Sequence, residues 1–148
     1  MGDERTVLFL CPHNVAESVI AAAYCERLAA ERGVPLRITS AGTDPDPGVS
    51  PGVAGALFAE GIDVCTYRPR RVTAKELARA SRVVSLGCDL GDLAPPGLVI
   101  EHWDDVPSPS ADLTGARAVI AAHVRRLVDT ETSHVSEGKE RQHEMDHA

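Results

Sequence analysis

Thr6-Val7-Leu8-Phe9-Leu10-Cys11-Pro12-His13-Asn14-Val15-Ala16-Glu17-Ser18 joins a short apolar run to a turn and then to a helical pattern. The run Thr6–Leu10 reads as a strand, stopped by Cys11-Pro12-His13-Asn14. From about Ser18 to Arg32 the periodicity is helical: Ile20, Ala23, Tyr24 and Leu28 share one face, and Gly33 supplies the stop. A strand that feeds a helix through one tight loop is the opening unit of an open α/β sheet.

The same alternation continues outward. Leu36 to Ser40 predicts a second strand, ended by Gly42 and the loop Asp44-Pro45-Asp46-Pro47-Gly48. Ser50 and Pro51 are an N-cap and a first-turn proline, opening a helix through Val53, Leu57 and Phe58 to Gly61. Thr73 and Glu76 have capping-box spacing for a short helix to about Ala80. Arg82–Leu86 and Leu98–Glu101 read as the last two strands. Leu113, Ala116, Ile120, Val124 and Leu127 mark one face of a long C-terminal helix. The pattern predicts one three-layer α/β domain, residues 1–129, around a four-stranded parallel sheet with right-handed crossovers. Residues 130–148 lack apolar periodicity and read as a disordered polar tail, in which His134, His143 and His147 are solvated rather than metal-bound.

The 148 residues suit a single core, built mostly from aliphatic side chains because aromatics are only 3% of the chain. A net charge of −7 argues against nucleic acid or an anionic membrane as partner. With neither a membrane-length apolar run nor a signal pattern, the expected location is the cytoplasm. Four cysteines at 11, 25, 65 and 88 include no Cys-x-x-Cys pair, so thiols that react or pack are expected before disulfides or zinc. Cys11, His13 and Glu17 are all metal-ligand types, but they share one loop, and no metal or cofactor is expected.

Cys11 to Ser18 is the stretch that carries chemistry. Ligands of open parallel sheets bind beyond the carboxyl ends of strands, where backbone N–H groups and a helix N-terminus form an anion-binding nest. A cysteine at the mouth of such a nest has its thiolate favoured and becomes nucleophilic.

The segment is similar to the low-molecular-weight phosphatase and arsenate reductase family, which carries Cys, five residues, Arg, then Ser or Thr directly after the first strand. Ser40-Ala41-Gly42-Thr43, Gly61-Ile62-Asp63-Val64, Val83-Val84-Ser85-Leu86 and Glu101-His102-Trp103-Asp104-Asp105 resemble further family segments in family order, so the likeness runs from about Thr6 to Val128. The resemblance implies Cys11 as nucleophile within the substrate loop Pro12, His13, Asn14, Val15, Ala16, Glu17 and Ser18. Asn14 matches the residue holding the loop's strained turn, and Ser18 the hydroxyl bonded to the thiolate. Ser40 and Tyr67 match supporting positions, with Tyr67 standing where the phosphatase branch has histidine. Glu101-His102-Trp103 is more like the thioredoxin-coupled arsenate reductases, which implies a thiol-redox partner.

Against that pattern, Glu17 stands where the family has arginine. A lost oxyanion donor costs about 3–4 kcal/mol. Reversing a unit charge about 4 Å away swings the interaction by about 8 kcal/mol at an effective dielectric near 20. The family's general acid is an aspartate before proline, a place taken by Ser108, which leaves Asp105 or Asp104 as substitutes. The reductase relay needs two further cysteines; Cys88 lies near the first position as a possible redox thiol, and no second follows. Arg68, Arg70 and Arg71 are the nearest replacement cations. Two readings stay open: an enzyme using Cys11 as nucleophile or redox thiol on a small substrate, unsuited to efficient phosphotyrosine hydrolysis, or a catalytically impaired binding or regulatory protein with a degenerate site.

Overall fold

The computed structural model of the protein describes residues 5–146, with side chains through His134. The elements run β1 Arg5–Leu10, α1 Glu17–Arg32, β2 Leu36–Ala41, α2 Pro51–Ala59, α3 Ala74–Arg79, β3 Arg82–Ser85, a 3-10 turn at Gly91–Leu93, β4 Ile100–His102 and α4 Leu113–Asp146. The four strands are parallel in the order β2-β1-β3-β4. The chain winds outward to β2 on one side of β1 and then to β3 and β4 on the other. The carboxyl end of β1, where Cys11 follows, is therefore the point at which the winding reverses.

Alternation along β1 divides the core. Val7, Phe9 and Cys11 face α1, α2 and α4, packing with Ile20, Leu57, Ile120 and Val124. Leu8 and Leu10 face the other layer, with Leu77 of α3, Val83, Cys88 and Leu90. Three layers result, as the pattern of strands and helices predicts.

Local signals account for most boundaries. Gly33 is left-handed (φ 65°) and closes α1, its N–H returning to the Ala30 carbonyl. Thr73 and Glu76 form the capping box: Glu76 N–H donates to Thr73 Oγ1 (3.1 Å) and Thr73 N–H to Glu76 Oε1 (3.4 Å). Ser50 precedes α2 without a side-chain cap; its backbone N–H instead reaches the Val15 carbonyl (3.1 Å), tying α2 to the cysteine loop. The last strand begins at Ile100 rather than Leu98, because Leu98 N–H is held in a turn by the Pro95 carbonyl (3.2 Å).

The largest departure is at the C-terminus. No break occurs at Asp129; α4 continues, and its backbone is helical to Asp146. Glu131 is fully buried, with its carboxylate on Arg5 Nε (2.5 Å) and Arg82 (3.3 Å). Arg82 in turn grips Glu101 through two bonds of 2.6 and 2.7 Å. A buried carboxylate shared by two guanidinium groups takes the inward position that an apolar residue would mark, so apolar periodicity stops before the helix does. His134 is exposed, whereas the His143 side chain and all of His147 lie outside the described residues. Among the described residues no helix is long and apolar enough to cross a membrane.

Candidate active site

The loop from Cys11 to Ser18 is shaped by where its backbone groups go. The carbonyls of Pro12, His13 and Val15 turn outward and accept from Asp44 (2.8 Å), Asp46 (3.1 Å) and Ser50 (3.1 Å). The N–H groups of His13 to Ala16 donate to no protein group among the described residues. They remain available at the start of α1, where the helix adds positive potential. Asn14 makes the required reversal, and among the described residues it is the only non-glycine with positive φ (54°). Asparagine tolerates this region because its short amide bonds locally, and here that amide is wholly buried.

The hydrogen bonds at Asn14 have a direction. Its Nδ2 donates to Ser18 Oγ (2.8 Å), which leaves the Ser18 hydroxyl proton for Cys11 Sγ at 2.9 Å. Ser18 N–H also donates to that sulfur (3.4 Å). On the other side, Asn14 Oδ1 accepts from Tyr67 OH (2.6 Å) and Arg70 N–H (3.1 Å). With its proton on Asn14, Tyr67 accepts from the Ser40 hydroxyl. Ser40, Tyr67, Asn14 and Ser18 therefore form one chain in which each donor points toward the sulfur. Such a chain polarises cooperatively toward the sulfur.

The other loop residues stand around this centre. Cys11 is 2% exposed, Pro12 and Val15 are half-buried, Ala16 is buried, and His13 is exposed. The His13 Nδ1 contacts the Asp44 carbonyl (2.9 Å), with the Asp46 and Asp44 carboxylates at 3.6 and 3.8 Å. That carbonyl and these carboxylates raise its pKa, and Glu17 adds to the effect. Glu17, the first residue of α1, is half-buried. Burial raises its pKa, while a bond to its own backbone N–H and the charge of His13 lower it.

Asp105 is engaged by a side chain of the C-terminal helix. Its carboxylate meets His123 Nε2 of α4 (2.7 Å), and that bond lowers its pKa. Arg126 Nη2 lies 2.8 Å from the other ring nitrogen, His123 Nδ1. The same ring stacks on buried Trp103, 4.6 Å between centroids. A carboxylate held ionised at a helix surface is poorly suited to give a proton. Asp104 is exposed.

Cys88 follows β3, with its Sγ 3.7 Å from Thr43 Oγ1. Burial raises its pKa, the Thr43 contact lowers it, and the charge of Cys11 raises it again. The net effect is a thiol less acidic than a free one. Burial pushes the Cys25 thiol up to about 12, as fits a core residue. Cys65 is exposed, and its thiol is raised by a bond to Asp63.

Two contributors lack an apolar or catalytic signature in the sequence. Arg70 serves the loop through its backbone N–H, which any residue but proline could supply. Gly42 serves by having no side chain: a Cβ there would lie 2.6 Å from the Pro12 carbonyl oxygen and 2.8 Å from that of Cys11. Neither backbone atom can give way without moving the loop. Gly42→Ala should therefore cost about 1–3 kcal/mol in urea unfolding and slow Cys11 alkylation; an unchanged midpoint and rate would show that the loop is not clamped by Gly42.

Residues 6–95 match the family model described as low molecular weight phosphotyrosine protein phosphatase. A Halobacterium salinarum protein named "Putative arsenate reductase" is 28% identical over 123 residues, covering 82% of this chain and 87% of its own. The thioredoxin-dependent arsenate reductase of Corynebacterium glutamicum superposes with a TM-score of 0.71 at 26% identity. That match covers 87% of this chain, which spans only 62% of the Corynebacterium protein's length. Bacillus subtilis YfkJ shares the fold at a TM-score of 0.77 and 19% identity, covering 89% and 97% of the two chains. With a cysteine loop at the switch point of a 2-1-3-4 parallel sheet and a family match over most of that sheet, the chain belongs to the low-molecular-weight phosphotyrosine protein phosphatase family.

Proposed function

We propose that the protein is a cysteine-dependent enzyme in which Cys11 acts as nucleophile or redox thiol on a small substrate less anionic than a phosphate monoester. The observation that carries this reading is the directed chain Ser40–Tyr67–Asn14–Ser18, whose last donor lies 2.9 Å from the sulfur. The unclaimed N–H groups beside it suit an electronegative substrate atom. Glu17, in the place of the family's arginine, and Asp105, bonded to His123, weigh against efficient phosphotyrosine hydrolysis.

The likeness to a thioredoxin-dependent arsenate reductase supports a thiol-redox partner, and Cys88 is the candidate second thiol. Four free cysteines suit a reducing compartment such as the cytoplasm. The competing reading, a binding or regulatory protein on the same scaffold, is favoured by the engagement of the Asp105 carboxylate with His123.

Alkylation separates the two readings. Iodoacetamide at neutral pH, followed by peptide mass spectrometry, should modify Cys11 about tenfold faster than exposed Cys65 despite its burial. Ser18→Ala should remove that advantage, and anionic iodoacetate should lag behind iodoacetamide at Cys11. A Cys11 rate below that of Cys65 would falsify the enzymatic reading in favour of the binding one.

A further inference from the structure

Between Tyr67 and β3 the charge of the chain reverses. Positions 68–79 hold Arg68, Arg70, Arg71, Lys75 and Arg79 against a single carboxylate, Glu76, in a chain of net charge −7. Arg70 takes that carboxylate. Arg71, Lys75 and Arg79 are exposed, and none meets a carboxylate at ion-pair distance among the described residues. Arg71 Nη1 donates instead to the Thr43 carbonyl (2.7 Å), which leaves its charge unbalanced.

These cations bring little to the fold itself. Lys75 and Arg79 are four residues apart on α3, a spacing at which like charges repel. Lys75 also stands in the first turn, where free N–H groups disfavour a cation. Buried Leu77 and the capping box fasten α3 without them. The inner end of this ridge lies beside the thiols. Gly42 bridges to Arg71 and approaches the Cys11 carbonyl, and Thr43 Oγ1 is 3.7 Å from Cys88 Sγ.

We propose that Arg71, Lys75 and Arg79 form the docking surface for an acidic protein, whose clustered carboxylates lie along α3 while its edge reaches the side of the sheet that holds Cys11 and Cys88. The surface rests on the thiol-redox reading for what the partner does there, and not for the binding itself. Exposed charges of one sign select a partner of the opposite sign and orient it. Other polyanions fit less well. Tyr67, the aromatic residue next to the ridge, is half-buried with its hydroxyl on Asn14, so it offers no open platform for a base. The exposed large apolar side chains among the described residues are Phe58 of α2 and Val99, neither of them on the ridge to enter a bilayer. Beyond the ridge the surface is more negative than the whole chain and repels a long polyanion.

Titration of the full chain with dodecaglutamate, followed by amide chemical shifts, tests the proposal. Saturable shifts are expected from Arg71 to Arg79 and at Thr43, and they should weaken as salt is raised. Lys75→Glu should weaken the peptide about tenfold. Its Tm should hold or rise, because a glutamate there suits the first turn and faces Arg79. Arg125→Glu makes the same change of net charge on exposed α4, in the opposite layer, and should leave the affinity nearly unchanged. Equal losses in the two variants, or shifts that never saturate, overturn the surface. Tighter binding of dodecathymidylate, or retention on phosphatidylserine vesicles, overturns the assignment to a protein. Peptide binding at 71–79 together with an unreactive Cys11 would uphold the surface and sink the redox reading alone.

Discussion

Asn14→Ala should lower the protein's stability by about 3–5 kcal/mol. Alanine in a left-handed conformation costs about 1–2 kcal/mol, and at φ 54° position 14 demands that conformation. The larger part comes from the partners left behind. Tyr67 OH, Arg70 N–H and Ser18 Oγ all bond the Asn14 amide, which is fully buried. An orphaned buried group costs about 1–3 kcal/mol, and some of these will find water or relax. Set against a typical total of about 5–15 kcal/mol, the loss is about a fifth or more. For a chain of this size it corresponds to a fall of about 10–15 °C in Tm. Asn14→Gly isolates the backbone share, because glycine accepts positive φ freely and lacks the amide. It should recover about 1 kcal/mol relative to alanine. Urea unfolding of the three proteins measures both steps. A loss below about 1 kcal/mol for alanine would mean that the network follows the loop rather than holds it.

This prediction depends on contacts that sequence spacing reveals only in part. The strand–loop–helix unit is legible because Val7–Leu10 is apolar throughout and Gly33 ends the helix that follows. Asn14 and Ser18 are legible through the resemblance, and the structure places both against the sulfur or its neighbour. Tyr67 takes a supporting place beside Ser40, although the two lie 27 residues apart. What sequence periodicity misses is what polar groups do at long range. Glu131 looks like the start of a solvated tail until Arg5 and Arg82, from opposite parts of the chain, converge on it. Asp105 looks like a vacant proton donor until His123, eighteen residues on, takes up its carboxylate. Gly42 signals a turn, whereas its structural reason is the approach of two carbonyl oxygens from another segment. In each case the decisive partner is set by tertiary packing, which apolar periodicity does not encode.

Glu17→Arg should raise kcat/KM for p-nitrophenyl phosphate by about 10²–10³-fold over the parent, the amount one oxyanion donor typically supplies. The substitution acts beside the unclaimed loop N–H groups, the directed chain to Cys11 and the start of α1. It replaces a half-buried carboxylate with a group that can fork onto phosphoryl oxygens. Recovery should stay well below that of a complete phosphatase, because Asp105 remains bound to His123 and ionised. Adding Cys11→Ser to the Glu17→Arg protein should abolish the gain, which ties it to the thiol. An independent sign comes from pH. Burial raises the Glu17 pKa, so its charge is lost earlier on acidification than that of a free glutamate. His13, whose pKa the Asp44 carbonyl and nearby carboxylates also raise, gains its proton over a higher range. Both changes make the loop more positive. Sulfate, whose own charge is constant over this range, should therefore bind the parent more tightly at pH 5 than at pH 7.5. In the Glu17→Arg protein the dependence should shrink to the His13 contribution. Appreciable phosphatase turnover by the parent, or sulfate affinity that ignores both pH and position 17, would mean that Glu17 does not govern the loop's charge.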